Sequence, residues 1–134
     1  SGKVELGNVA ITNLLGTSLN GSSIKSGYGI FASVSASYSD VTDLKLTMTY
    51  NFGFGSKSVT LQETSSGVFA FPVNAASPAG NRCVYIPVEA ADGTYTLTIT
   101  VTAKNAAGEV LTETKTATVV VKGNMYEDDF TGDS

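Results

Sequence analysis

Residues 92–121 read DGTYTLTITVTAKNAAGEVLTETKTATVVV, and this stretch decides the fold class. Its first half alternates apolar residues with threonines, which is the period of two that a half-buried β-strand shows. The apolar set, which we expect to face the core, is Tyr95, Leu97, Ile99, Val101 and Ala103. Residues 105–108, Asn-Ala-Ala-Gly, are typical of a turn, and a second alternating run follows them. The stretch therefore predicts a β-hairpin.

The second strand of this hairpin contains a conflict between apolar and charged residues. If Val119 faces the core, then Glu113 and Lys115 face it as well, because they share its parity. Two arrangements resolve the conflict: a bulge between Glu113 and Thr116, or a hairpin tip that extends beyond the core. We expect the extended tip, because charged residues there also protect an exposed strand edge from pairing with other chains.

The rest of the chain supplies further strand candidates, separated by turn residues. They are residues 4–12 with a bulge at Gly7, 30–38, 44–52, 58–62, 68–73 and 83–88. No stretch favours a helix over a strand. We therefore expect an all-β, two-sheet antiparallel sandwich of seven to eight strands, with a small barrel as the alternative.

Two features qualify the strand pattern. Residues 13–29 are rich in Gly, Ser and Asn, so we expect a long connection. Its apolar residues, Leu14, Leu15, Leu19 and Ile24, are expected to cover an open end of the core. Pro72 and Pro87 lie in the last two strand candidates before the hairpin and predict edge positions for both, because proline cannot donate a ladder hydrogen bond.

Length and charge limit the domain organisation and the partners. The chain has 134 residues, 15% of them charged, and a net charge of −4. We expect one domain, residues 1–122, followed by an acidic C-terminal tail or linker, residues 123–134. A nucleic-acid partner is excluded by the lack of a basic stripe. No apolar run approaches the roughly eighteen residues of a membrane span, so no transmembrane segment is expected in these residues.

The residue types also exclude much of the known catalytic chemistry. There is no histidine, so Ser-His-Asp and Cys-His arrangements and imidazole zinc sites are impossible. Cys83 is the only cysteine and cannot form an internal disulfide. The carboxylates near predicted strand ends fit solubility and turn formation better than paired acid-base catalysis. We expect no enzymatic activity.

Calcium is the one inorganic ligand that the sequence offers. Asp40 and Asp43 form one loop-borne cluster, and Asp128 and Asp129 lie in the acidic tail. Oxygen ligands of this kind suit calcium, but neither cluster has the spacing of an EF-hand. We expect no cofactor, with calcium at these aspartates as the alternative.

Aromatic residues beside glycines are the candidates for ligand binding. Phe54 lies between two glycines at a predicted strand end, Tyr28 lies in the long connection, and Phe31 has the outward parity of its strand. Saccharide binding on a β-sandwich needs exposed aromatic faces of this kind. Tyr50 and Phe52 share the core parity and are expected to be buried.

The segment Ala-Asp-Gly-Thr-Tyr-Thr-Leu at residues 91–97 resembles the strand entry of immunoglobulin-like and fibronectin type III-like domains. In those domains a tyrosine near the start of the penultimate strand hydrogen-bonds back across the corner. Tyr95 matches that tyrosine, and Asp92 belongs to the same corner. With no tryptophan, and with Leu97 where antibody domains have a cysteine, the chain is similar to the disulfide-free bacterial modules of exported cell-surface proteins. The resemblance implies an Ig-like Greek-key sandwich.

The resemblance also implies a location and a kind of function. We expect a non-catalytic module of a bacterial surface or secreted protein that acts in adhesion, in partner binding or as a structural spacer. It is expected outside the cell or at the cell surface, with a lipid anchor or the periplasm as alternatives. The partner would be a protein or a glycan. The alternative functions are a carbohydrate-binding module accessory to polysaccharide utilisation and a pilin-like subunit assembled by strand donation.

Overall fold

The computed structural model describes residues 2–71 and 83–127, and within these residues the chain forms nine β-strands and no helix. The strands are β1 (Lys3–Thr12), β2 (Ser23–Ser26), β3 (Gly29–Ser39), β4 (Thr42–Tyr50), β5 (Lys57–Ser65), β6 (Val68–Ala70), β7 (Val84–Tyr85), β8 (Gly93–Lys104) and β9 (Val110–Asn124). In this part of the chain no helix is long and apolar enough to cross a membrane. The prediction of an all-β fold is confirmed, although the strands exceed the expected number.

The strands form one curled sheet in the order β1-β3-β6-β5-β4-β8-β9-β2, with β7 paired to β3. The curl passes through β5, because residues 57–61 pair with β4 and residues 62–65 pair with β6. The inner face of the curled sheet encloses the hydrophobic core. The sheet is mixed and not purely antiparallel, since β2 runs parallel to β9.

The β8–β9 hairpin contains the longest ladder of the sheet. Every residue of β8 is paired with β9, and the register does not shift. The inward side chains of Leu97, Ile99 and Val101 are fully buried, and the burial of each contributes about 1.5–3 kcal/mol to folding. The predicted hairpin and the inward parity of β8 are confirmed.

The connection between β1 and β3 contains a strand that its sequence does not suggest. Ser26 of β2 is fully buried, and its hydroxyl donates a hydrogen bond to the carbonyl of Val88 at 2.7 Å. The carbonyl of Ser26 accepts a bond from the N–H of Met125 at 2.9 Å. The inward positions of β2 are therefore occupied by one apolar residue, Ile24, and one polar residue, Ser26. Because Ser26 is polar, the sequence of β2 does not show the alternation of apolar and polar residues that predicts a strand. The expectation that residues 13–29 form only a connection is wrong.

Both arrangements considered for Glu113 and Lys115 are also wrong. β9 contains no bulge, and the β8 partners of the two residues, Val101 and Ile99, are fully buried, so the tip does not extend past the core. The Lys115 ammonium donates to the carbonyl of Gly7 at 2.6 Å. The bulge expected in β1 at Gly7 is present, and it leaves this carbonyl for Lys115. Lys115 thus bridges the opening between β9 and β1.

The edge positions predicted from the prolines hold for one strand only. β6 lies between β3 and β5, so its predicted edge position is wrong. β6 ends at Ala70, before Pro72, which lies outside the described residues. Among the residues that the structure describes, β7 pairs only with β3, and Pro87 follows its end. Proline is compatible with such an edge because its missing N–H is not required there.

The turn between β5 and β6 is held by one carboxylate. Glu63 accepts hydrogen bonds from the N–H of Gly67 and from the hydroxyl of Tyr38, both at 2.7 Å. These two bonds, that of Gly67 first, lower the pKa of Glu63. The bond to Glu63 in turn raises the pKa of Tyr38. Gly67 has a φ of 73°, a conformation that glycine adopts without strain.

Glu63 predicts an acid-sensitive contribution to stability. As the pH falls from the ordinary glutamate pKa of 4.5 through the lowered pKa of Glu63, the unfolded state binds the proton more readily, so the free energy of unfolding decreases. Glu63→Gln should be less stable at pH 7 and should lose less stability in this acidic range. Urea unfolding between pH 3 and 7 measures both effects, with Glu5→Gln as a matched exposed control. Parallel pH profiles for the wild type and Glu63→Gln would refute this role.

Candidate binding groove

A groove of about 630 Å³ lies where β2, the start of β3 and β7 meet, and we call it the β2–β3 groove. The loop between β1 and β2 forms one wall, and Met125, directly after β9, contributes to another. Its volume falls within the range of roughly 300–1,000 Å³ that small-molecule and side-chain pockets occupy. The groove is therefore large enough to hold a side chain or a short segment of a ligand.

Four large apolar side chains on the walls of this groove are exposed to solvent. The exposed fractions are 78% for Leu14, 86% for Leu15, 46% for Tyr28 and 53% for Tyr85. Single exposed apolar residues are common on protein surfaces, but several around one concave site mark an interaction surface. The four exposed apolar side chains therefore make the groove a candidate site for binding an apolar group of a ligand.

An ordered turn presents Leu14 and Leu15. The side-chain carbonyl of Asn13 accepts hydrogen bonds from the N–H groups of Leu15 and Thr17, each at 3.0 Å. The backbone closes the same turn, since the N–H of Gly16 donates to the carbonyl of Asn13 at 3.0 Å. Gly16 has a φ of 83°, which favours glycine. The turn therefore fixes the backbone beneath both leucines.

The structure corrects the expectation for the apolar residues of this connection. Leu19 and Ile24 are buried and belong to the core, as expected. Leu14 and Leu15 do not cover the core, because the Asn13 turn directs the chain away from it. The two leucines were predicted to be structural and are the most exposed large apolar residues of the groove.

The floor of the groove contains a thiol without the properties of a nucleophile. Cys83 is buried, and burial raises the pKa of its thiol. Its side chain is hydrogen-bonded to that of Tyr85, and this bond is the main reason why the pKa of Tyr85 is raised. A protonated, buried thiol is a poor nucleophile. The groove therefore suits binding rather than covalent chemistry.

Polar groups are few in the groove, and several already have partners. The ammonium group of Lys25 donates to the carbonyl of Glu127 at 3.3 Å. The side-chain oxygen of Asn13 is used by its own turn. Recognition in this groove therefore rests mainly on apolar contact.

The groove brings together two of the three predicted ligand-binding aromatics. Tyr28 and Phe31 both line it, and Phe31 is half-buried. Phe54 is 53% exposed but lies in the turn between β4 and β5, apart from the groove lining. Phe52 is buried in the core, as expected, and Tyr50 is only partly buried and packs on Phe52.

The sequence pattern did not identify Leu14, Leu15 and Tyr85 as groove residues. The one available signal for the leucines was an apolar pair inside a Gly- and Ser-rich connection. Tyr85 could not be placed, because β7 reaches the groove only through its pairing with β3.

The corner residues lie where their hydrogen bonds join β8 to its surroundings. The hydroxyl of Tyr95 donates to the carbonyl of Ala91, which is the backward bond expected at this corner. The carboxylate of Asp92 accepts a bond from the N–H of Gly123 at 2.9 Å. Asp92 thereby ties the start of β8 to the end of β9, which continues to Asn124 and so past residue 122.

The aspartates considered for calcium lie apart from the groove. Asp40, in the turn before β4, has a φ angle of 55°, and Asp43, the second residue of β4, has a φ angle of 56°. The Asp43 carboxylate lies 3.8 Å from the Lys104 ammonium, which neutralises part of its charge. Within residues 2–71 and 83–127, no group of three or more His, Cys, Asp or Glu side chains is arranged to hold a metal ion. Asp128 and Asp129 lie outside the described residues.

A family model described as "Domain of unknown function (DUF8195)" matches residues 10–129. The chain belongs to this family. No curated protein and no solved structure matches the chain. The DUF8195 match spans the Asn13 turn, β2, β7 and Met125, so every wall of the β2–β3 groove lies within the DUF8195 domain.

Asn13 should control the order of the exposed leucine turn in this DUF8195 domain. Asn13→Ala removes the acceptor for two N–H groups, so the Leu15 and Thr17 amides should exchange faster with solvent. The loss of these bonds should cost about 1 kcal/mol of stability. NMR amide exchange and thermal unfolding measure the two effects, with Asn20→Ala in the same connection as the control. Unchanged exchange at Leu15 and Thr17 would show that the side chain does not hold the turn.

Proposed function

We propose that this chain is a non-catalytic, immunoglobulin-like module of a bacterial surface or secreted protein, and that it binds a partner protein through the β2–β3 groove. The observation that carries this proposal is the set of exposed apolar side chains around a groove with an ordered leucine turn. A surface of this kind is costly to leave in water and gains free energy when an apolar group covers it.

The strand order supports the immunoglobulin-like part of the proposal. Half of β5 continues the row β1-β3-β6, and its other half begins the row β4-β8-β9-β2. We relate these two rows of the one curled sheet to the two sheets of a Greek-key sandwich, with β8 and β9 as its last hairpin. The hydrogen bond from Tyr95 to Ala91 lies at the corner where such domains have one.

The lining of the groove favours a protein partner over a glycan. Leu14 and Leu15 are aliphatic, and aliphatic side chains offer no flat face on which a sugar ring could stack. A sugar also needs several hydrogen-bonding groups, whereas the side-chain oxygen of Asn13 is already used. An aliphatic or aromatic side chain from an extended protein segment would satisfy the groove better.

A carbohydrate-binding role remains the second candidate, because Tyr28 and Tyr85 expose aromatic faces on the same groove. The strand-donation alternative has less support. The inward side chains of Leu97, Ile99 and Val101 are already fully buried by the chain's own strands, whereas a subunit that needs a donated strand leaves part of its core exposed. The proposed location, outside the cell or at its surface, rests on the family resemblance of the 91–97 segment alone.

Selection from a displayed library of random peptides tests the proposal. We expect the wild-type domain to enrich peptides that carry an aliphatic or aromatic anchor residue. Leu15→Asp and Tyr28→Ala should each weaken the binding of a selected peptide by about tenfold or more, because an apolar anchor contributes roughly 1–3 kcal/mol. Phe54→Ala changes an exposed aromatic outside the groove and should bind like the wild type.

A glycan array with the same variants separates the two candidate partners. Glycan binding that is lost in Tyr28→Ala and retained in Leu15→Asp would favour carbohydrate recognition. Failure to enrich any peptide, or equal peptide binding by the wild type and Leu15→Asp, would contradict the proposed protein-binding groove.

A further inference from the structure

The outer edge of β9 is open along most of its length. Within the described parts of the chain, β8 is the only ladder partner of residues 110–119 of β9. β2 covers the same edge only from Val120 onwards. The N–H and C=O groups that point away from β8 along residues 110–119 are therefore available to another strand.

β1 does not occupy this edge. A strand lying beside β9 in the plane of the sheet would be about 9.5 Å from β8, which is two strand spacings away. Cα atoms of β1 approach those of both β8 and β9 within 8 Å. β1 therefore lies over the inward face of the hairpin, consistent with the bond from the inward residue Lys115 to Gly7. None of the described residues other than those of β8 pairs with residues 110–119 of β9 in the plane of the sheet.

The sequence of the open edge is complementary to itself in one register. When two copies of residues 110–118, VLTETKTAT, are placed antiparallel about Thr114, Glu113 of each copy lies opposite Lys115 of the other. Thr112 then faces Thr116. Centring the pair on Glu113 or on Lys115 would instead place like charges opposite each other, as would a parallel pair in register.

The limits of the open edge select the same register. β9 begins at Val110, and β2 begins to cover it at Val120. The part of β9 that β2 leaves uncovered, residues 110–119, has its centre next to Thr114. Thr114 is also the residue between Glu113 and Lys115, so both criteria give the same register. In this register the β2 strand of each copy lies beside the other copy's 105–109 turn and not beside its β9 strand, so β2 does not interrupt the ladder of residues 110–118.

From these observations we propose that two copies of this chain associate through antiparallel pairing of their β9 edges about Thr114. The dimer joins the two curled sheets through β9 and contains two Glu113–Lys115 ion pairs. The Lys115 ammonium has three donors, so it can retain its bond to Gly7 and still reach the partner carboxylate. The interface is small, so the dimer is weak and forms at about 100 µM protein or above.

Charge reversal tests this register. Glu113→Lys and Lys115→Glu should each weaken the dimer about tenfold, because each change opposes like charges at both symmetric positions. The double variant Glu113→Lys/Lys115→Glu should recover the wild-type dissociation constant. Lys122→Glu, which lies on β9 outside the open edge, is the matched control. Sedimentation equilibrium measures all five proteins, and circular dichroism verifies their folding.

Mixing the two single variants provides a second measurement that does not depend on either homodimer. In the proposed register a Glu113→Lys chain and a Lys115→Glu chain face each other with opposite charges at both positions, so the mixture should form a heterodimer. A wild-type protein that stays monomeric at about 1 mM would overturn the proposal. A dimer unaffected by Glu113→Lys, or a mixture that stays monomeric, would overturn it as well.

Discussion

Backbone pairing between β8 and β9 is the constraint on which the rest of the structure depends. β8 is an interior strand, with β4 on one side and β9 on the other, and its inward side chains are among the most deeply buried of the core. The unbroken register also fixes where β9 begins and ends. The groove and the open edge both follow from this placement of β9.

The two ends of β9 have different surroundings because β2 covers only one of them. Near the C-terminal end, β2 pairs with β9, and Met125 continues from there into the wall of the groove. Near the N-terminal end, no second ladder forms within the described residues, and the Lys115 ammonium donates a hydrogen bond to the Gly7 carbonyl of β1. One long strand therefore supports two separate surfaces, an apolar groove and a polar edge.

The parts of the fold that depend on local alternation could be predicted from the sequence. The hairpin, the inward parity of β8 and the bulge at Gly7 each follow from apolar residues at a period of two, or from its interruption. β2 could not be predicted, because Ser26 occupies an inward position and is satisfied by Val88, a distant residue. The position of the Lys115 side chain could not be predicted either, because its ammonium donates a hydrogen bond to the carbonyl of Gly7 in β1, which is distant in the sequence.

The groove also combines residues that the local sequence predicts with residues that depend on distant parts of the chain. Tyr28 and Phe31 were predictable as exposed aromatics of one short stretch, whereas Tyr85 joins them only through the pairing of β7 with β3. The exposure of Leu14 and Leu15 depends on which way the Asn13 turn leads the chain. Composition alone favours burial of leucine, so local rules gave the wrong answer there.

Residue-resolved amide hydrogen exchange tests the central role of the hairpin most directly. At a concentration where the chain is monomeric, the interior amides of β8 should exchange only through global unfolding. Along residues 110–118 of β9, amides directed at β8 should be slow, and the alternate amides, directed at the open edge, should be fast. Exchange of β8 as rapid as that of β2, or uniformly slow exchange along both sets of β9 amides, would contradict this arrangement.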